Sequence, residues 1–170
     1  MSELIQLSNI GNIISNIGNT LIENQNLLKL IKYNSSNALL QPDLTIEEII
    51  DLCGFGSDPL NQQRIFKYPF FNNIVDSVRS ELRFFIPKIK PENIYLSEVF
   101  INFQIIIHNS IIDLDNNKQR TFKIIEEILK TFNGEDINGI GNLMLKNSID
   151  IVAWNNSFSG YTFNMLTRFT

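Results

Sequence analysis

His108 is the only histidine of this chain and Cys53 its only cysteine, so these two residues bound the nucleophilic chemistry open to it. A catalytic triad would pair His108 with Cys53 or a serine, and with an acid. No local motif joins them. Cys53 closes an apolar helical stretch, where a thiol packs as a small hydrophobe. His108 ends an extended run, where its ring nitrogens order a turn or meet solvent. Asp113-Leu114-Asp115-Asn116-Asn117 opens like a calcium loop. The likeness then fails: Lys118 stands where the sharp turn needs glycine, and Ile124 where the bidentate glutamate belongs. The run reads as a polar turn, with Asn116 or Asn117 capping the helix that follows.

Gly134, Gly139 and Gly141 lie between a helix and a strand, the reverse of the order a phosphate cradle requires. Backbone turning is the simpler account. Glu47/Glu48 and Glu126/Glu127 are adjacent pairs that diverge on a helix, so they cannot act jointly on one bond. No catalytic, cofactor-binding or metal-ligating residue is assigned, and the expectation is a protein that is not an enzyme. Arg79, Arg83, Lys88 and Lys90 fall close to Phe84, Phe85 and Tyr95, a basic-aromatic composition able to meet nucleic acid. Glu81, Glu92 and Glu98 interrupt it, so a protein contact ranks first and a nucleic-acid-binding accessory role second.

The elements that would carry these residues follow from periodicity. From about Leu7 to Tyr33, Ile10, Ile14, Ile17, Leu21, Leu28 and Ile31 keep the four-three alternation of a coiled-coil seam, with Asn24 as its polar member. This predicts one long N-terminal helix, with Gly11 and Gly18 each costing roughly 0.8–1 kcal/mol of propensity. Ser8-Asn9-Ile10-Gly11-Asn12 repeats as Ser15-Asn16-Ile17-Gly18-Asn19. Such a stripe needs a second surface, in its own domain or on a neighbouring subunit. Thr45 and Glu48 form a capping box, with Leu44 and Ile49 as a hydrophobic staple, and start a helix that Gly54 and Gly56 stop. The aromatics Phe66, Tyr68, Phe70 and Phe71 lie in an irregular stretch and are expected to tuck under the domain.

Ser80 to Ile86 predicts a strand that Pro87 and Pro91 confine to an edge or to its end. Val99, Ile101, Phe103, Ile105 and Ile107 alternate with Phe100, Asn102, Gln104, Ile106 and His108, one long strand with a dry face. Phe122, Ile125, Ile128, Leu129 and Phe132 recur at helical spacing, and Asn133-Gly134 ends that helix. Leu143 to Trp154 and Tyr161 to Phe169 read as a terminal strand hairpin. The order predicts an α+β domain over 43–170, a mixed sheet with helices on one face, preceded by a helical arm and loop over 1–42.

With 44% hydrophobic and 19% charged residues the chain is no disordered polyelectrolyte. A net charge of −4 argues against general affinity for nucleic acid or anionic lipid. No apolar run approaches the roughly 20 residues of a membrane span, and the first residues lack a secretory pattern, so a soluble protein made inside the cell is expected, with no membrane partner. Isoleucine occurs 28 times and asparagine 23 times. Both have A/T-rich codons, and the excess reads as genome drift.

The stretch His108-Asn109, Asp113-Leu114-Asp115, Arg120, Ile124-Ile125, Ile128-Leu129, Asn133-Gly134, Gly139-Ile140-Gly141-Asn142-Leu143 and Asn156-Ser157-Phe158-Ser159-Gly160-Tyr161 resembles tail-terminator-like and tail-completion proteins of tailed bacteriophages. The resemblance covers roughly Val99 to Thr170. The Ile/Asn-rich composition is like that of crAss-like phages of gut Bacteroides. The resemblance implies a structural virion protein, a homo-oligomeric ring of six or twelve copies in the head-tail neck. It would be assembled in the bacterial host cytoplasm, meet the portal or adjacent neck and tail proteins, and let DNA pass without specific recognition. On that reading Asp113 and Asp115 border the bore or lock onto Arg120 of the next copy, and Ile10, Ile14, Ile17 and Leu21 are candidates for a subunit interface. No cofactor is implied.

Overall fold

The computed structural model describes residues 2–69, 77–92, 97–136 and 141–169. In chain order the elements are α1 (Ser2–Glu23), α2 (Gln25–Lys32), α3 (Ile46–Leu52), the single turn α4 (Pro59–Gln62), β1 (Ile65–Phe66), β2 (Ser80–Pro91), β3 (Ser97–His108), β4 (Asp113–Leu114), β5 (Lys118–Gln119), α5 (Arg120–Phe132), β6 (Met144–Leu145), β7 (Asp150–Ala153) and β8 (Phe158–Phe169). The main sheet runs β1-β2-β3-β8, and β6 and β7 both pair the far side of β8. β1 is parallel to β2 and the other pairings are antiparallel. The fold is α+β with a mixed sheet, as expected. Phe70, Phe71, Tyr95 and Gly139 lie outside the described residues.

Alternation along β3 buries Val99, Ile101, Phe103, Ile105 and Ile107 against the helices. Phe103 is the hub. Phe84 and Phe163 stand directly opposite it on the two neighbouring strands. Its ring lies 6.2 Å from Phe84, 5.4 Å from Phe163 and 5.9 Å from Phe132 of α5. An aromatic row across three strands adds specific ring contacts to its area burial. β2 runs on to Pro91, past the expected end at Ile86. A bulge between Phe85 and Lys88 absorbs Pro87, which has no N–H to give the ladder. β8 needs glycine at position 160, where a Cβ would sit 1.7 Å from the Ile105 carbonyl oxygen.

The expected single N-terminal helix is two helices. Asn24 takes an extended backbone, and its side chain accepts from the Leu27 amide at 3.0 Å, so it caps α2 and ends α1. Its amide nitrogen reaches α5, donating to Thr131 Oγ1 at 3.0 Å. Residues from Ile13 to Ala38 share one core with the sheet. The expected strand from Leu143 to Trp154 is also divided, into β6 and β7. Between them Ser148 Oγ donates to the Asp150 carboxylate at 2.8 Å, a local bond that competes with the ladder.

The start of α3 matches the sequence. Thr45 Oγ1 accepts from the Glu48 amide at 3.3 Å, and the Glu48 carboxylate accepts from the Thr45 amide at 3.0 Å. Thr45→Ala is expected to cost about 1 kcal/mol, read as a lowered urea midpoint at unchanged slope. The start of α5 differs from expectation. Its N-cap is Gln119, with no side-chain cap bond, and Asn117 takes a left-handed φ of 59°. The Arg120 amide instead donates to the Ile112 carbonyl at 2.7 Å, so the turn itself satisfies it.

Candidate interaction surfaces

Arg120 is completely buried, and this corrects its expected role toward a neighbouring copy. Its five N–H groups reach five backbone carbonyls. These belong to Ile111, Leu30, Tyr33, Asn34 and Ser35, at 2.6–3.2 Å. Arg64 adds bonds to the Ile31 and Lys32 carbonyls at 2.9 Å. Two guanidinium groups thus gather the carbonyls that α2 and the following segment leave unpaired, where the helix dipole also favours positive charge. Burial first, and then the charge of Arg64, pull the Arg120 guanidinium down to about 10, so it stays a cation at neutral pH.

The interface candidates of the N-terminal seam divide. Ile17 and Leu21 are fully buried in their own core, which corrects their assignment to a subunit contact. Ile14 is half-buried against the same core. Ile10 belongs to a stretch of α1 whose side chains lie outside the described residues. Asp113 and Asp115 are exposed.

The basic-aromatic patch comes apart. Arg79, just before β2, alternates with Glu81 and Arg83 on it, so the three side chains share one face. All three are buried. Glu81 accepts from Arg79 Nη2, and from Arg83 Nη2 at 2.7 Å and Nε at 3.2 Å. The Arg83 guanidinium also lies 4.2 Å from the Phe66 ring centroid. Phosphate contact would need these two cations at the surface. Lys88 and Lys90 are exposed, and Lys90 sits 3.9 Å from Glu98.

His108 orders its turn as expected. Nδ1 lies 3.2 Å from the Ser110 amide, which donates to it, and 2.8 Å from Ser110 Oγ. Cys53 is half-buried, and burial pushes its thiol pKa up despite the opposing charge of Lys67. Among the described residues no group of three or more His, Cys, Asp or Glu side chains is placed to hold a metal ion. No described helix is long and apolar enough to cross a membrane.

Two apolar patches stand out against this background. The first surrounds a cavity of about 320 Å³ between α1, α3 and the β1 edge. Ile49 and Ile50 of α3, Ile22 of α1, Cys53, Phe55 and Tyr68 line it. Phe55 is 76% exposed and Ile46 74%. α3 is apolar on both sides: Leu52 faces the core while Ile46 and Ile50, four apart, face outward. Gly54, at φ 81°, turns the chain so that Phe55 projects beside the cavity. Gly18 finds a use here too, since the Lys67 side chain passes 3.2 Å from where its Cβ would be.

The second patch lies at the opposite edge of the sheet. Phe122 of α5 is 52% exposed, and its ring is 5.2 Å from Tyr161 of β8. Ile151 of β7 stands opposite Tyr161 in the ladder and is 73% exposed. The charges beside Phe122 are already paired. The Glu126 carboxyl is held down to about 2 by hydrogen bonds from Lys123 and then Lys130. Sequence reasoning did not find either patch. For the first, the signal was an isoleucine pair on the polar side of a helix whose other side was already apolar.

The geometry defines a small α+β sheet protein with unlike apolar patches on opposite sheet edges. The chain belongs to the YomW family, whose model matches residues 24–167. That family is phage-derived, of the SPbeta-like prophage kind, and membership points to a phage protein. No curated protein matches the chain.

Proposed function

We propose that this is a non-enzymatic virion protein that assembles as a ring in the phage neck, between the portal or head and the tail. The observation that carries the reading is the pair of unlike apolar patches on opposite edges of one sheet. A contact between different surfaces is heterologous, and when its rotation closes it makes a ring. Patches of this kind on a small chain mark contact sites. The phage-derived family and the resemblance of Val99 to Thr170 to tail-completion proteins support the place in the virion. Asp113 and Asp115, exposed on a chain of net charge −4, suit a bore that DNA passes without sticking, because basic contacts would hold its phosphates.

The test is a mixing experiment. Ile50→Asp with Phe55→Asp disables the first patch, and Phe122→Asp with Ile151→Asp the second. Wild type is expected to sediment as a closed oligomer, and each variant alone as a monomer. An equimolar mixture should form a one-to-one dimer and nothing larger, since a single intact contact remains. Mass spectrometry of purified virions should find the chain. Its absence there overturns the reading.

A further inference from the structure

We infer that the edge strand β7 of a second copy seats in the cavity between α1, α3 and β1, with Ile151 entering it and Asp150 meeting Lys67. This rests on the ring reading above and names its contact. The cavity, about 320 Å³, is the size of a small well-formed binding pocket. Its lining is apolar apart from Asn19, Gln63, Lys67 and the hydroxyl of Tyr68. The Gln63 amide is spent on the Ile65 and Cys53 carbonyls, at 3.1 and 3.4 Å. Lys67 lays its alkyl chain against Gly18, with Nζ 3.3 Å from the position a Cβ would take there. It is exposed and makes no ion pair among the described residues. An ammonium at the mouth of an apolar cavity calls for an apolar knob with an anion beside it.

The far edge of the same sheet supplies that combination. Ile151 is 73% exposed on a strand of four residues that, among the described residues, pairs only with β8. The preceding residue, Asp150, is exposed, and among the described residues its carboxylate accepts only from Ser148 Oγ. An edge strand carrying a bare isoleucine needs cover. Successive side chains leave a strand on opposite sides, so a strand entering edge-first brings both residues to the cavity. Phe122 is a weaker knob, half-covered by Tyr161 and flanked by the satisfied Lys123–Glu126–Lys130 charges.

Cys53 lines the cavity and is the chain's only cysteine, which makes the contact testable by cross-linking. Ile151→Cys places a second thiol on an exposed position, so the core is untouched. Mild oxidation joins the two thiols as a disulfide, the oxidant taking up two electrons and the two protons leaving to solvent. Each chain then carries one donor and one acceptor thiol. The expected product on a non-reducing gel is a ladder of dimer, trimer and higher bands, ending at the copy number of the ring. Ile151→Cys with Cys53→Ser should give no band above dimer, and wild type likewise. A ladder that weakens with Lys67→Glu and returns when Asp150→Lys is added identifies the ion pair. No ladder from an Ile151→Cys protein whose wild type sediments as an oligomer overturns the docking and leaves the ring reading standing. A wild type that stays monomeric, with no ladder and no place in virions, overturns both.

Discussion

Arg120→Leu is expected to destabilise the protein by about 3–5 kcal/mol, a large share of the roughly 5–15 kcal/mol that holds a typical domain folded. The substitution keeps an apolar stem but removes every donor. Five carbonyl oxygens then lose the partner they share, and four of them belong to the end of α2 and the segment after it. Each buried acceptor left unpaired costs about 1–3 kcal/mol, reduced where water reaches it. The loss should spread beyond the site, because Arg120 opens α5 while its guanidinium closes α2. Arg120→Lys is the informative companion. Lysine keeps the charge but has three donors in place of the planar five. It should lose about 2 kcal/mol, intermediate between leucine and wild type. Urea unfolding followed by circular dichroism measures both. A shift below about 1 kcal/mol for Arg120→Leu would mean that the carbonyls find other partners.

Local signals in the sequence predicted local structure well, and failed where a distant partner decides. The capping box at Thr45 needs only residues three apart, and it is present as expected. The dry face of β3 follows from alternation, and the Asn133-Gly134 stop of α5 from a left-handed glycine at φ 85°. Asn24 is different. In a seam pattern, a polar residue inside a helix and a cap between two helices look alike. The bond from Asn24 to Thr131 ties that residue to α5, more than a hundred positions away. Arg120 has Asp113 and Asp115 as neighbours in sequence, while its carbonyl partners at the end of α2 and in the segment after it lie 85–90 positions away. Arg79-Ser80-Glu81-Leu82-Arg83 carries its signal in its spacing. Counting its charges suggests a basic patch, whereas a period of two puts one acid between two bases on one face. Of the candidate surfaces, the outward Ile46 and Ile50 were legible as surplus apolar residues on α3. The second patch was not, because the register of Ile151 against Tyr161 arises only when β7 folds onto β8.

Glu81→Gln carries the other large expected effect, about 3–5 kcal/mol of destabilisation. The carboxylate lies between two buried arginines, and among the described residues Arg79 already has Nε and Nη1 buried without a hydrogen-bond partner. Glutamine keeps the shape and loses the charge, so Arg79 and Arg83 both lose the buried carboxylate they share. The control follows from the same physics. Breaking a buried charge cluster is costly, but replacing the whole of it with apolar side chains is often neutral or stabilising by about 1–4 kcal/mol. Arg79→Met with Glu81→Leu and Arg83→Met should therefore recover most of what Glu81→Gln loses, although Arg83 also gives up its contact with the Phe66 ring. Chemical unfolding of the single and triple variants provides the comparison. If Glu81→Gln unfolds at the wild-type midpoint, the cluster is open to water. Arg79 and Arg83 would then count as surface cations, and a salt titration of DNA binding would be the measurement to make, because phosphate affinity bought by free arginines must fall steeply as salt rises.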